Sequence, residues 1–503
     1  MDRALPRSVT DSNPFVEISV WTRLLLVGYI LLYRVCLPGI EYLVYDQRPL
    51  VILRWGSNLL FVLLLFGPLL FYQRGKLGWL HPFILPGLIG IASSLAKNFW
   101  SLLTPFYFRV PESFSFVGLE HFSQTELAWT VVRHDWIAIM GLVAYYLSFL
   151  LARRLKVPRL RILPPSRLSL RLFFGGLIGL AAAYLIISRN GGVEATILGL
   201  AGGRFRFREK IGGGHLIVLT EFLKYAWLIW FAYRPRARFN PLFWMYVLGS
   251  LAVIFVVSGS RSGILFPLIF LGLIYVIHTR KIPTLTIGVA AFVGVIMVGI
   301  LGQIRSAGNR GDAISLELLT ETSISEKLEL TSAEVEDRIN GNMMVVGKAM
   351  DQVGPLWGRT YLAGVFFWVP RAIWKNKPRG AGAYAGNILY YGRSLERNSF
   401  GGDALGIPVS GYYEAYWNFW YPGVVLIAVL FGLLHRFSTN VFLKNRGKPL
   451  VWVVYLLVVG FTSMATRSIV DFAQGISIIV LIALLCYLWR PGIIYQAISL
   501  DRK

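Results

Sequence analysis

Cysteine is almost missing from this chain. Only Cys36 and Cys486 occur in 503 residues, both at or in apolar runs. That excludes a disulfide scaffold and any zinc-type thiolate spacing. Histidine is scarce as well, six residues in all, and scattered. His121 and His134 form the only pair of note on the expected outer side. The outer loops hold no DxD, HExxH or Asp-rich cluster, so neither a metal nor a cofactor is expected. Acidic residues are outnumbered, 26 Asp and Glu against 50 Lys and Arg, for a formal charge of +24. In a soluble protein that excess would suggest nucleic acid, but no nucleic-acid motif accompanies it. In a membrane protein it mostly reports topology and contact with anionic lipid. Strict apolar/polar alternation, the signature of a membrane barrel, is missing too. So are low-complexity tracts and any internal repeat at a period of about 20–50 residues.

What the chain does have is apolar length. It is 55% hydrophobic with a mean hydropathy of +0.59, too high for a soluble protein of this size. Backbone in lipid must satisfy its own hydrogen bonds, so the apolar runs are expected to be helices. The expected fold class is an all-α polytopic membrane protein with about twelve spans of about 20 residues each. These fall near 20–37, 50–71, 83–103, 129–151, 170–187, 215–233, 241–258, 264–278, 284–303, 422–437, 449–466 and 473–489. Residues 1–19 are polar and mixed in charge, so no cleavable signal is expected and Val20 to Leu37 stays as an anchor. Three parts follow: residues 1–303 with about nine spans, a long outer loop over 304–421 with short helices, and residues 422–503 with about three spans.

Orientation comes from the basic connections. The loop Arg153 to Arg171 is dense in Arg and Lys. The connections with Arg74 and Lys76, Arg234 to Arg238, Arg280 and Lys281, and Lys444 to Lys448 are also basic. All five fall on the cytoplasmic side if both termini are cytoplasmic. The expected location is therefore a bacterial inner membrane, with the long loop in the periplasm. Cations on the outer side then need a reason. GGRFRFREKIGGG carries Arg204, Arg206 and Arg208, and the turn SGSRSG carries Arg261. Arg forks match phosphate oxygens, and flanking glycines let backbone N–H groups approach an anion. These arginines read either as a clamp on a lipid-linked pyrophosphate or as interfacial contacts to lipid headgroups.

The long loop gathers the residues that could do chemistry. Asp312 to Arg338 is acidic and amphipathic and reads as one or two short surface helices. Tyr361 to Val369 is too short to cross and reads as interfacial or re-entrant. WVPRAIWKNKPRG follows, with Arg371, Arg379, Trp368 and Trp374. Cations beside aromatics suit a membrane surface and a sugar phosphate alike. The loop ends on GYYEAYWNFWYPG, where Glu414 sits among Tyr412, Tyr413, Tyr416, Trp417, Asn418 and Trp420. A carboxylate among aromatics is partly desolvated, which would raise its pKa and make it a better general base. The alternative is a structural carboxylate paired with an outer arginine. His215 is the other candidate base, or a structural histidine at a helix start. Asp403 and Asp471 are weaker candidates, and Asp471 can pair with Arg467 four positions earlier.

Many spans, SGSRSG at a turn, a very long late outer loop with PRAIWKNKP, and GYYEAYWNFWYPG leading into a span together resemble the oligosaccharide repeat-unit polymerases of the O-antigen polymerase (Wzy) type. In motif terms the resemblance covers roughly residues 200–435. It implies a GT-C-like, metal-independent membrane glycosyltransferase. Its partners would be polyprenyl-pyrophosphate-linked oligosaccharide donor and acceptor, membrane lipid, and a regulator of chain length. The growing glycan would pass to the incoming unit on the periplasmic face, with release of polyprenyl pyrophosphate. The family's Arg–ten residues–Gly pattern is met by Arg371 and Gly382. It is not met around Arg204, Arg206 and Arg208, and Tyr413 replaces the glycine that commonly precedes the glutamate. On this reading Arg204, Arg206, Arg208 and Arg261 bind pyrophosphate, while Glu414, Arg371 and Arg379 act on the transfer. A ligase that moves finished glycan onto lipid A core is the near rival, but the histidine that usually marks its late loop is absent between Gln303 and Tyr421. A lipid-linked-glycan flippase or secondary transporter is the rival from another class.

Overall fold

The computed structural model describes residues 15–36, 39–40, 51–70, 78–85, 124–157, 159–160, 167–201, 215–258, 261–280, 341–369, 373–391, 407–461 and 468–487. Among these residues the chain is helical and has no strand. In chain order the helices are α1 (Val20–Ile30), α2 (Val51–Leu70), α3 (Gln124–Leu151), α4 (Leu168–Arg189), α5 (Val193–Ala201), α6 (His215–Thr220), α7 (Phe222–Tyr233), α8 (Pro241–Ser258) and α9 (Arg261–Thr279). Then come α10 (Arg359–Val365), α11 (Ala381–Tyr391), α12 (Gly411–Lys444), α13 (Pro449–Phe461) and α14 (Ile469–Tyr487).

Among the described residues, five stretches are long and apolar enough to cross a membrane: Trp129–Arg154, Leu168–Arg189, Leu216–Tyr233, Pro241–Ser258 and Gly411–Lys444. Shorter apolar helices cover Val20–Ile30, Trp55–Leu69, Phe266–Thr279, Pro449–Gly460 and Ile469–Ala483. The expected spans near 83–103 and 284–303, and the acidic run from Asp312, lie wholly or almost wholly outside the described residues. Large apolar side chains stay exposed on several helices, among them Leu147 and Leu151 on α3, Phe173 and Tyr184 on α4, and Met245 and Leu248 on α8. Water does not tolerate apolar faces on this scale, and hydrocarbon does. The architecture is thus compatible with a multi-pass membrane protein.

Two larger cores form among the described residues. In the first, α7 is buried along almost its whole length and packs on α8, α9, α13 and α14 through Trp227, Phe243, Ile274, Leu457 and Ile482. In the second, α12 lies along α3. Tyr413 meets His134 near one end of the pair, the Tyr145 hydroxyl meets His435 Nδ1 at 2.6 Å further on, and Arg436 reaches the Arg153 carbonyl. Numbers rise together on the two helices, so they run in the same direction. The same holds for α2 and α3, where Ser57 meets Asp135 and Tyr146 meets the Leu64 carbonyl. The second, fourth and tenth expected spans must share a direction, and these helices do.

Where α3 ends, the chain is laid along α12. Arg436, Asn440 and Lys444 donate to the carbonyls of Arg153, Leu155 and Val157 at 3.4, 2.9 and 2.7 Å. Arg153 lies in a 3-10 turn, Ala152–Arg154; beyond it, four helical residues from Asn440 to Lys444 match the two from Leu155 to Val157, since the rises nearly agree, about 6.0 against about 6.6 Å. The Leu160 N–H then donates to Asn445 Oδ1 at 2.9 Å.

The expected tenth span, 422–437, is only part of α12, which starts eleven residues earlier, at Gly411, inside the stretch assigned to the loop. The helix breaks at Phe419 (φ −142°, ψ 22°) and Trp420 (φ 53°, ψ −149°). Pro422 explains the place. It has no N–H for the carbonyl four residues back, and its ring crowds that carbonyl. Gly423 lets the chain fold tightly there, since a Cβ would stand 2.6 Å from the Ala415 carbonyl oxygen.

A candidate active site around Glu414

The late loop and the last helix converge on the first two turns of α12. The break frees backbone acceptors, and residues 354–360 take them up. Leu356 N–H donates to the Trp417 carbonyl at 2.9 Å, and Trp417 Nε1–H donates to the Gly354 carbonyl at 3.2 Å. Asn418 Nδ2–H donates both to Thr360 Oγ1 at 2.7 Å and to the Glu414 carbonyl at 2.8 Å. The start of α12 is held from the other side. Ser410 N–H donates to Asn342 Oδ1 at 2.8 Å, and Asn342 Nδ2–H donates to Ser410 Oγ at 3.0 Å.

Glu414 sits in the middle of this arrangement and is completely buried. Its Oε2 accepts the Ile469 N–H at 2.8 Å, the first N–H of α14. The Thr360 hydroxyl and the Ala381 N–H, the first of α11, also lie beside the carboxyl. Oε1 is sealed and meets neither in full hydrogen-bond geometry. Two helix N-termini therefore point their unpaired N–H groups at one carboxyl, which is where a negative charge is stabilised. The expected structural alternative, an arginine partner, does not appear among the described residues; backbone N–H groups fill that role. Asn418 Oδ1, one turn on, is buried and unpartnered like Glu414 Oε1. Two adjacent acceptors thus lack donors, and buried acceptors of this kind call for a ligand hydroxyl or water. On α10, burial and then the charge of Glu414 push the Tyr361 hydroxyl above the usual phenol range.

Of the loop residues expected to act, Arg379 is half-buried just before α11, and its backbone N–H donates to the Tyr384 hydroxyl at 3.4 Å. Trp374 is half-buried with its ring edge-on to Phe366, centroids 5.6 Å apart. Lys377 is taken up by the loop itself, donating to the carbonyls of Phe367 and Val369 at 2.8 and 3.1 Å. Gly382, the partner of Arg371 in the spacing pattern, has a local reason: a Cβ there would stand 2.5 Å from the Ile407 carbonyl oxygen. Asp471 lies in the first turn of α14, half-buried, and its charge is felt at Glu414. Tyr412 is buried against α3, where Gly141 leaves room for its ring. Arg261 opens α9 and His215 opens α6. Arg204, Arg206, Arg208, Arg371, Asp403 and Arg467 lie outside the described residues.

Sequence reasoning missed Thr360, named Asn418 only as a neighbour of Glu414, and missed a second polar group on the α3 side of α12. There Asp135, buried, accepts from Ser57 Oγ at 3.0 Å and lies 3.3 Å from His134 Nδ1. The His134 ring stacks on Tyr413, centroids 4.5 Å apart at 17°. A signal existed: Arg133, His134 and Asp135 fall inside an apolar run, and ionisable residues there are functional candidates by default. Among the described residues no group of three or more His, Cys, Asp or Glu could hold a metal. No family model, no curated protein and no solved structure matches this chain.

Proposed function

We propose that this chain is a GT-C-like membrane glycosyltransferase that polymerises polyprenyl-pyrophosphate-linked oligosaccharide units at the periplasmic face of a bacterial inner membrane. The observation that carries the reading is the convergence of Thr360, Ala381 and Ile469 on Glu414. It joins the late loop to α12 and α14 around one carboxyl with a sealed acceptor atom that lacks a donor. Transfer from a pyrophosphate needs a group on the acceptor hydroxyl and cations on the departing phosphate. In this reading Glu414 orients or deprotonates the acceptor hydroxyl. The donor pyrophosphate is held by Arg204, Arg206, Arg208 and Arg261, and Arg371 and Arg379 neutralise charge as it leaves. Because Glu414 is sealed in the resting arrangement, the acceptor reaches it when α10 and Thr360 move aside.

The test is the glycan length distribution in a strain lacking the gene. A polymerase deletion leaves single repeat units displayed on the surface. Units trapped on the cytoplasmic side indicate a flippase, and an unchanged ladder of long chains rejects the proposal.

A further inference from the structure

The geometry points to His134, oriented by Asp135 and Ser57, as the group that takes the proton from the acceptor hydroxyl. This rests on the transferase reading above and moves Glu414 to a positioning role.

The argument begins with access. Glu414 faces α10, α11 and α14 and is wholly enclosed. One residue earlier, Tyr413 faces α3, and its ring is stacked on His134. The two polar groups therefore flank the same turn of α12. His134 keeps 16% of its side chain exposed. Its Nδ1 lies 3.3 Å from Asp135 Oδ1, and a carboxylate there accepts a hydrogen bond from Nδ1–H, which selects the tautomer protonated at Nδ1. The other carboxylate oxygen is fixed by Ser57 Oγ, so the carboxylate cannot swing away. Tyr413 adds a second hold, since its hydroxyl donates to the His134 backbone carbonyl at 3.2 Å. With Nδ1 protonated, Nε2 carries a lone pair. That nitrogen hydrogen-bonds to no described residue and is not among the sealed, unpartnered atoms. A ring held at Nδ1 and on one face, with an acceptor nitrogen left over, is the arrangement a general base requires.

A mostly apolar cavity lies beside the His134–Asp135 dyad, without His134 in its lining. It is open, about 390 Å³ in volume, and lined by Ile52, Leu53, Gly56, Ser57 and Trp136. It shares Ser57 with the carboxylate, and Trp136, two residues from His134, is half exposed there. An indole face stacks on sugar C–H surfaces. In the step, the acceptor O–H gives its proton to Nε2 as the oxygen bonds to the donor's anomeric carbon. The bond from that carbon to the phosphate oxygen breaks, its electron pair leaves on polyprenyl diphosphate, and the imidazolium later returns the proton to water.

The experiment uses membrane vesicles from the deletion strain carrying its own lipid-linked units, with wild-type or His134→Ala full-length protein, with and without added imidazole. The account expects extension to fall about 100-fold or more in the variant. Imidazole, entering the space beside Tyr413, restores part of it. Extension at the wild-type rate in His134→Ala overturns the proposal. So does loss that imidazole does not rescue in normally inserted protein, because that marks a structural ring. If wild-type protein itself restores no extension, the transferase reading fails first and takes this role with it.

Discussion

The two larger cores among the described residues are built from similar helices and differ in how they hold buried charge. Around α7 the buried charge is neutralised, Lys224 pairing with Glu221, and Trp227 Nε1–H donates to Ser250 Oγ at 2.8 Å, which donates to the Val247 carbonyl at 2.8 Å; at its margin Trp79 Nε1 and the Tyr246 hydroxyl lack partners. Around the start of α12, polar atoms are concentrated and some lack partners: Glu414 Oε1 and Asn418 Oδ1, with Asn387 Nδ2 on α11. Unpartnered buried groups are costly and persist where something else requires them. The difference that remains is a buried carboxyl with no cation beside it among the described residues, which the proposed function reads as a site for a ligand.

That contrast can be broken by mutation. The largest stability effect belongs to the core around α7. Trp227→Ala removes a fully buried indole and is expected to cost about 3–5 kcal/mol, read as a lower unfolding midpoint of the purified protein in detergent. Chain extension per folded molecule should stay near wild type. A smaller stability effect with a larger functional one is expected from Thr360→Val. It removes the acceptor for Asn418 Nδ2 and costs about 1–2 kcal/mol, while extension per folded molecule falls several-fold or more. If Trp227→Ala impairs turnover as much as Thr360→Val does, the two regions are not functionally distinct.

Much of the helical layout was legible because long apolar runs in lipid can only be helices or barrels. The expected span 241–258 coincides with α8, and 170–187 lies within α4. The break in α12 was legible in Tyr421–Pro422–Gly423, but its consequence was not: helix continues on both sides, so the aromatic cluster belongs to the membrane helix as well as to the loop. Glu414 stood out by its neighbours. Its partners could not, because the donor from α14 and the one beside it from α11 are backbone N–H groups, and backbone carries no mark in a sequence. Asp135 and Ser57, 78 positions apart, meet only because α2 and α3 pack in register, which composition does not encode.

The most direct test of the central claim is Glu414→Gln in the deletion strain. Gln keeps an oxygen to accept the Ile469 N–H, so insertion and amount should match wild type while the charge is lost. The account predicts glycan that stops at single repeat units. A wild-type ladder of long chains from that variant would contradict it.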